Sequence, residues 1–189
     1  MRRSLSTVAM ITCVMAVVGA FLGSHAPPAW ACGPSITIAF HESSDGDIFI
    51  IKNNSEEAWF LASLEITLTG SVGRLVFDTQ DGGPGFSMHA PFVPADNEVG
   101  LIAAPEIRDG AEEIWLQFTK FIPGRDFTFL IDVDDRLETS DYGRAVVSGA
   151  EFEGARAKAA LAKTSGEKSS AHGQFDNTGK AVLRGGTCA

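Results

Sequence analysis

The chain has 189 residues, 44 % of them hydrophobic and 21 % charged, which is enough apolar material for one cored domain and too much for a disordered chain. Its formal net charge of −9 argues against nucleic acid, anionic membrane or a heparin-like polyanion as partner. With three cysteines and neither a CxxC motif nor a Cys/His cluster, the sequence also excludes a zinc-ribbon or thiol-redox protein.

Residues 1–31 have the pattern of an export signal peptide. Arg2 and Arg3 open it, an apolar run over 8–22 follows, and Ala29-Trp30-Ala31 supplies a small-x-small cleavage site before Cys32. The run is shorter than the about 20 residues of a spanning helix, and Ala-Trp-Ala suits signal peptidase better than a lipoprotein site. A lipidated Cys32 and an uncleaved anchor are the competing interpretations. Cleavage removes Cys13, both arginines and no acid, so the mature chain 32–189 carries a formal charge of −11. It keeps Cys32 and Cys188, one near each end, and two cysteines in an exported chain point to a single disulfide, with two free thiols as the alternative. Closing so long a loop contributes up to about 5 kcal/mol in the chain-entropy model. The expected product is one domain, periplasmic or extracellular, with no transmembrane segment.

Within that domain, apolar residues alternate over short runs broken by Gly, Pro, Asp and Asn, the mark of half-buried strands. The first strand, 35–41, puts Ile36, Ile38 and Phe40 on one face, and a turn at Ser43-Ser44-Asp45-Gly46 leads to a second over 47–52. Further strands are predicted around Leu64, Ile66 and Leu68, then at 74–78, 99–103 and 113–118. The clearest covers 126–134, with Phe127, Phe129, Ile131 and Val133 facing inward and Asp126, Thr128, Leu130, Asp132 and Asp134 outward. Residues 151–163 mix helix formers with an alternation at Ala155, Ala157, Ala159 and Leu161, and are assigned as strand. The polar stretch 164–173 is expected to be a long hairpin loop, and a last strand covers 180–184. Nine to eleven strands without a long helix predict an all-β fold, a single antiparallel β-sandwich with an immunoglobulin-like arrangement among its candidates. Trp59 and Trp115 are expected in the core, and Asn53-Asn54-Ser55 matches a glycosylation sequon.

Several segments carry a resemblance. They are Ile36-Thr37-Ile38-Ala39-Phe40 with Glu42-Ser43, and Leu75-Val76-Phe77-Asp78 leading to Gly83-Pro84-Gly85 and Pro91-Phe92. Phe129-Leu130-Ile131-Asp132-Val133-Asp134-Asp135 and the run from Val147 to Ala155 complete the set. Together they resemble exported bacterial proteins named for similarity to the sponge aggregation factor core protein, over most of the mature chain. The resemblance implies an extracellular adhesion-like module, since the sponge protein assembles a calcium-dependent scaffold.

The acids give that implication chemical content. Asp132 and Asp134 project from one strand face about 6.5 to 7 Å apart, with Asp135 just beyond. Three unneutralised carboxylates repel, and a hard cation such as calcium would relieve them; Asp45, Asp47, Asp78 and Asp81 lie at other strand ends and are able to join. Solvated charges, or pairing of one acid with Arg136, is the competing explanation. No EF-hand is present, because Leu137 stands where the loop needs glycine. The glycine- and proline-rich loop 78–94 offers Phe86, His89 and Phe92 as ligand-binding residues, either stacking on a sugar or pinning the loop to the core. With no HExxH or GxSxG motif, the expected function is a non-catalytic module binding an extracellular protein or glycan. A structural or assembly domain of the envelope or matrix is the alternative, and a secreted hydrolase a weaker one.

Overall fold

A computed structural model describes residues 33–56, 58–86, 88–139 and 144–186; the expected signal peptide 1–31, Cys32 and Cys188 lie outside the described residues. The fold is all-β and antiparallel. Its strands are β1 (Ser35–His41), β2 (Ile48–Asn53), β3 (Phe60–Thr67), β4 (Val76–Asp78), β5 (Val93–Pro94) and β6 (Glu113–Phe121). They continue with β7 (Asp126–Leu130), β8 (Asp132–Asp134), β9 (Arg156–Ala162), β10 (Lys168–Gln174) and β11 (Lys180–Arg184), with a 3-10 turn at Gly149–Phe152. Among the described residues no helix is long and apolar enough to cross a membrane.

Nine strands form one sheet in the order β5-β7-β2-β1-β11-β10-β9-β3-β6, and β4 pairs with β8 in a separate two-stranded ladder. Strand β6 closes one edge, and β7 lies next to the other, yet only residues 122–125 join them. So short a link forces the sheet to curl until its ends meet, and its two halves face each other as the layers of a sandwich. Residues beyond β5 bridge the seam: Ala95 N–H donates to Thr128 C=O of β7, and Ile102 N–H to Gln117 C=O of β6, both at 2.9 Å. Phe118 of β6 meets Phe127 of β7 edge-on at 5.3 Å between ring centroids. Inward residues of the strands, Phe49, Phe77, Phe121, Phe127 and Phe129 the largest among them, fill the interior together with Phe152 of the 3-10 turn and Phe175 just after β10.

Asn53 fastens the seam. Its side-chain NH2 donates to Trp59 C=O at 2.9 Å and Phe121 C=O at 3.0 Å, while its Oδ1 accepts from Ser55 N–H at 3.1 Å. Its backbone N–H and C=O bind Arg125 and Gly124 of the β6–β7 link. Fully buried with its polar atoms engaged, Asn53 is closed to glycosylation in the folded chain, whatever its sequon permits.

Several expectations need correction. The run 126–134 is two strands, broken at Ile131, where the chain leaves the large sheet for the β4 ladder. Residues 168–173 belong to strand β10, so the loop after β9 shrinks to a tight turn. Their inward positions are Ser169, Ala171 and Gly173, small residues that give no apolar signal; a Cβ on Gly173 would sit 2.7 Å from Val182 O. No strand forms at 99–103, where only Leu101 bridges to Phe118. There Asn97 bonds the N–H and C=O of Leu101 with its own side chain and takes the place of a neighbouring strand. Strand β9 starts at Arg156, behind the 3-10 turn, and Trp115 is 55 % exposed while Trp59 is buried.

Replacing Asn53 by Ala strands the carbonyls of Trp59 and Phe121 in the interior. Urea unfolding of Asn53→Ala should show a loss of roughly 2 to 4 kcal/mol, where a surface substitution such as Asn54→Ala moves the midpoint little.

Candidate functional site

The two-stranded ladder holds the acids. Asp78 of β4 pairs directly with Asp132 of β8, Phe77 with Val133 and Val76 with Asp134. Directly opposed residues share a face, so Asp78, Asp132 and Asp134 lie together on one side while Phe77 and Val133 enter the core on the other. One carboxylate oxygen from each of the three falls within 4.8 Å of the others. All three are withdrawn from water, with exposures of 4 %, 9 % and 1 %.

The loop that follows β4 covers them. Phe86 N–H donates to Asp134 Oδ2, Ala90 N–H to Asp78 C=O at 3.2 Å, and Asp132 N–H to Ala90 C=O at 3.1 Å. Gly85 lies so close that a Cβ there would stand 2.1 Å from Asp78 Oδ2, so glycine is required for this closure. Asp78 Oδ1 and Asp134 Oδ1 are nevertheless buried without a hydrogen-bond partner.

Charge in such a place is costly. Burial pushes the Asp134 carboxyl up to about 7, the neighbouring acids adding to it and the Phe86 N–H opposing. Burial, then Asp78 and Glu42, push Asp132 up to about 6, and Asp78 is raised by burial and by Asp109. His89, exposed on the loop, partly offsets the charge of Asp78 and Asp132. Next to the triad, Asp47 is pushed up to about 9 by burial and by Glu42. Its Oδ2 accepts from Val133 N–H at 3.0 Å and its Oδ1 from Ser43 N–H at 3.2 Å.

The expected site residues are therefore only partly assembled. Asp132 and Asp134 converge, Asp78 completes the triad, and Asp135 stands outside it, fully buried with its Oδ1 accepting from Leu137 N–H at 2.8 Å. Asp45 and Asp81 are exposed. In the loop, Phe86 is half exposed beneath the Arg144 guanidinium, 5.2 Å from its ring centroid. Phe92 packs 4.9 Å from Phe129 and pins the loop to the core. Phe92 also lines a cleft of about 500 Å3 with Thr79, Pro91, Ile107 and Arg108; Phe86 and His89 do not. Sequence spacing did not reveal Gly85, whose role depends on where the loop folds back.

A donor set of three carboxylates suits a hard cation, and the triad itself includes no thiolate or imidazole to favour a softer one. Among the described residues this triad is the group able to hold a metal. Comparison of the chain with family models, curated proteins and solved structures gives no significant match. The likeness to aggregation-factor proteins thus rests on the sequence segments alone.

The raised carboxyls set a direction for stability. In metal-free protein the folded chain holds protons on Asp132 and Asp134 that the unfolded chain has released, so their contribution is full below about pH 4 and is lost as pH rises through about 6 to 7. Thermal melts in chelator should give a lower Tm at about pH 8 than at about pH 5. A Tm that rises across that interval would contradict the buried triad.

Proposed function

We propose that this chain is an exported, non-catalytic binding module whose Asp78, Asp132 and Asp134 hold calcium, the ion fixing loop 78–94 for an extracellular partner. One observation carries the proposal: three carboxylates share one buried face, and two of their oxygens have no partner. Water is largely excluded there, and two acids directly opposed on a ladder destabilise it unless a proton or a cation intervenes. Calcium accepts six to eight oxygens in flexible geometry, which suits three unevenly placed carboxylates better than the strict octahedron of magnesium. The ion would join β4 and β8 to the loop that Gly85 and Phe86 bring over them, and so order Phe86, His89 and Phe92.

Export is supported by the leader pattern and by the geometry next to the two mature cysteines. Gly185 N–H donates to Pro34 C=O at 3.1 Å, and a Cβ on Gly33 would meet Gly185 O at 1.7 Å. The lead into β1 and the exit from β11 thus run side by side, which suits a Cys32–Cys188 disulfide. Non-reducing mass spectrometry of chain 32–189 should find the pair bonded, and reduction should lower Tm.

Calcium is tested by thermal unfolding of the oxidised mature chain in calcium, magnesium and chelator. A site of about 10⁻⁴ to 10⁻³ M should add about 1 to 2 kcal/mol at several millimolar calcium and raise Tm by a few degrees. Asp134→Asn removes one buried charge while keeping the shape. It should raise Tm in chelator and abolish the calcium shift; a wild-type Tm indifferent to calcium would falsify the proposal.

A further inference from the structure

The outer face of the large sheet carries a second feature, independent of the calcium proposal. Strands β9, β10 and β11 contain no Asp or Glu, although acids outnumber bases 24 to 15 in the whole chain. Their bases, Arg156, Lys158, Lys168, Lys180 and Arg184, all point outward and are exposed, with His172 among them. Arg156, Lys158, Lys168 and Arg184 take part in none of the ion pairs of the described residues. A face whose three strands carry bases and no acids, with Glu65 of β3 the acid beside them, calls on an acidic protein for an anionic partner.

Register gives that face a direction. Trp115 of β6 pairs with Glu65 of β3, Glu65 with Lys158 of β9, Lys158 with His172 of β10, and His172 with Arg184 of β11. These five side chains make one row across five strands, roughly 19 Å long at the usual strand spacing. A shallow groove of about 360 Å3 lies along the row, lined by Glu65, Lys158 and His172 of the row with Thr67, Thr69 and Arg156 beside them. At the end of the row Trp115, 55 % exposed, presents an indole to solvent. An indole face is electron-rich and apolar, and it suits the C–H face of a pyranose ring; Lys158, two strands further along the row beyond Glu65, suits the carboxylate of a following sugar.

From this placement we propose that the β6-β3-β9-β10-β11 face binds an acidic polysaccharide of uronic-acid type, one sugar stacked on Trp115 and its carboxylates set along Lys158, His172 and Arg184. A peptide partner is disfavoured because the groove is open and shallow and lacks the deep apolar anchor pocket on which protein interfaces depend. Glu65, within the row between Trp115 and Lys158, repels a carboxylate set directly over it, so the sugar's carboxylate contacts lie at Lys158, His172 and Arg184.

The test uses oxidised mature protein in chelator, so that calcium bridging through Asp78, Asp132 and Asp134 plays no part. Binding of polygalacturonate is followed by Trp fluorescence and by calorimetry at about 0.15 M salt, with neutral dextran and polyglutamate as controls. The expected result is binding of polygalacturonate alone, weakened about tenfold or more by Trp115→Ala and by Lys158→Gln, the latter with a shallower salt dependence. Trp115→Phe should restore most of the affinity and guards against a variant that folds poorly. Equal binding of polyglutamate would mean simple ion exchange. That result, unchanged affinity in either variant, or no binding to polygalacturonate would each overturn the proposal, and none bears on the calcium melts.

Discussion

The closure of the curled sheet at Asn53 is the constraint on which the rest depends. A nine-stranded sheet has two long edges, and here both are drawn to one seam by the four residues that join β6 to β7. Backbone atoms of the link cannot pair as strands do, so the seam needs a side chain with two donors and an acceptor at close range. Asn53 supplies these from the end of β2, tied to β6 through Phe121, to Trp59 before β3, and to the link itself. An aspartate would lack the donors, and an alanine would leave buried carbonyls unpaired.

Closure also determines where the acids go. Strand β7 pairs with β2 as far as Leu130 opposite Ile48, and Ile131 N–H still reaches Asp47 C=O. Beyond that point β2 has turned away. The Asp47 carboxyl takes the next N–H, that of Val133, and so substitutes for the missing strand. With that bond made, the chain can leave the large sheet and pair with β4 instead, which swings Asp132 and Asp134 under the loop. Two acids that a continuous strand would have left in water thus become interior groups. Asp47 carries the same burden, its carboxyl held far above the usual carboxylate range. A cluster of this kind gains from a cation more than a solvated one would, because burial has already removed the competing water.

The strands whose inward residues are large were legible in the sequence. β1 and β11 stand where the alternation places them, since Ile36, Ile38, Phe40, Ala181 and Leu183 are inward while the residues between them, polar apart from Ala39 and Val182, face outward. β10 escaped because its inward residues are small, and β5 because it is two residues long and ends in Pro94. The break at Ile131 was hidden for a different reason. Period-two alternation continues through 126–134 without interruption, and what divides it is the carboxyl of Asp47, a residue remote in sequence. Asp132 and Asp134 were therefore visible as a pair, and Asp78 as a companion, while Asp135 looked equivalent to them although the pleat turns it to the opposite side. Trp115 was misjudged because a large aromatic suggests a core, yet Ile114, Leu116 and Phe118 take the inward positions and leave it the outer face.

Net charge misleads for a related reason. A formal charge of −9 describes a partner's view only if the charges are evenly mixed, and here they are sorted. Asp47, Asp78, Asp109, Asp132, Asp134 and Asp135 gather around one ladder and its loop, whereas β9 to β11 carry bases alone. Physiological salt screens exposed charges beyond about 8 Å, so regions farther apart than that scarcely feel each other. Buried acids in particular project less than their number suggests, both because protons or a cation neutralise them and because they face inward. A partner approaching the outer sheet then meets Arg156, Lys158, His172 and Arg184 at short range and little of the acidic remainder. The argument against polyanions drawn from composition describes the molecule as an average, whereas at this face the sheet's register has gathered cations that the average conceals.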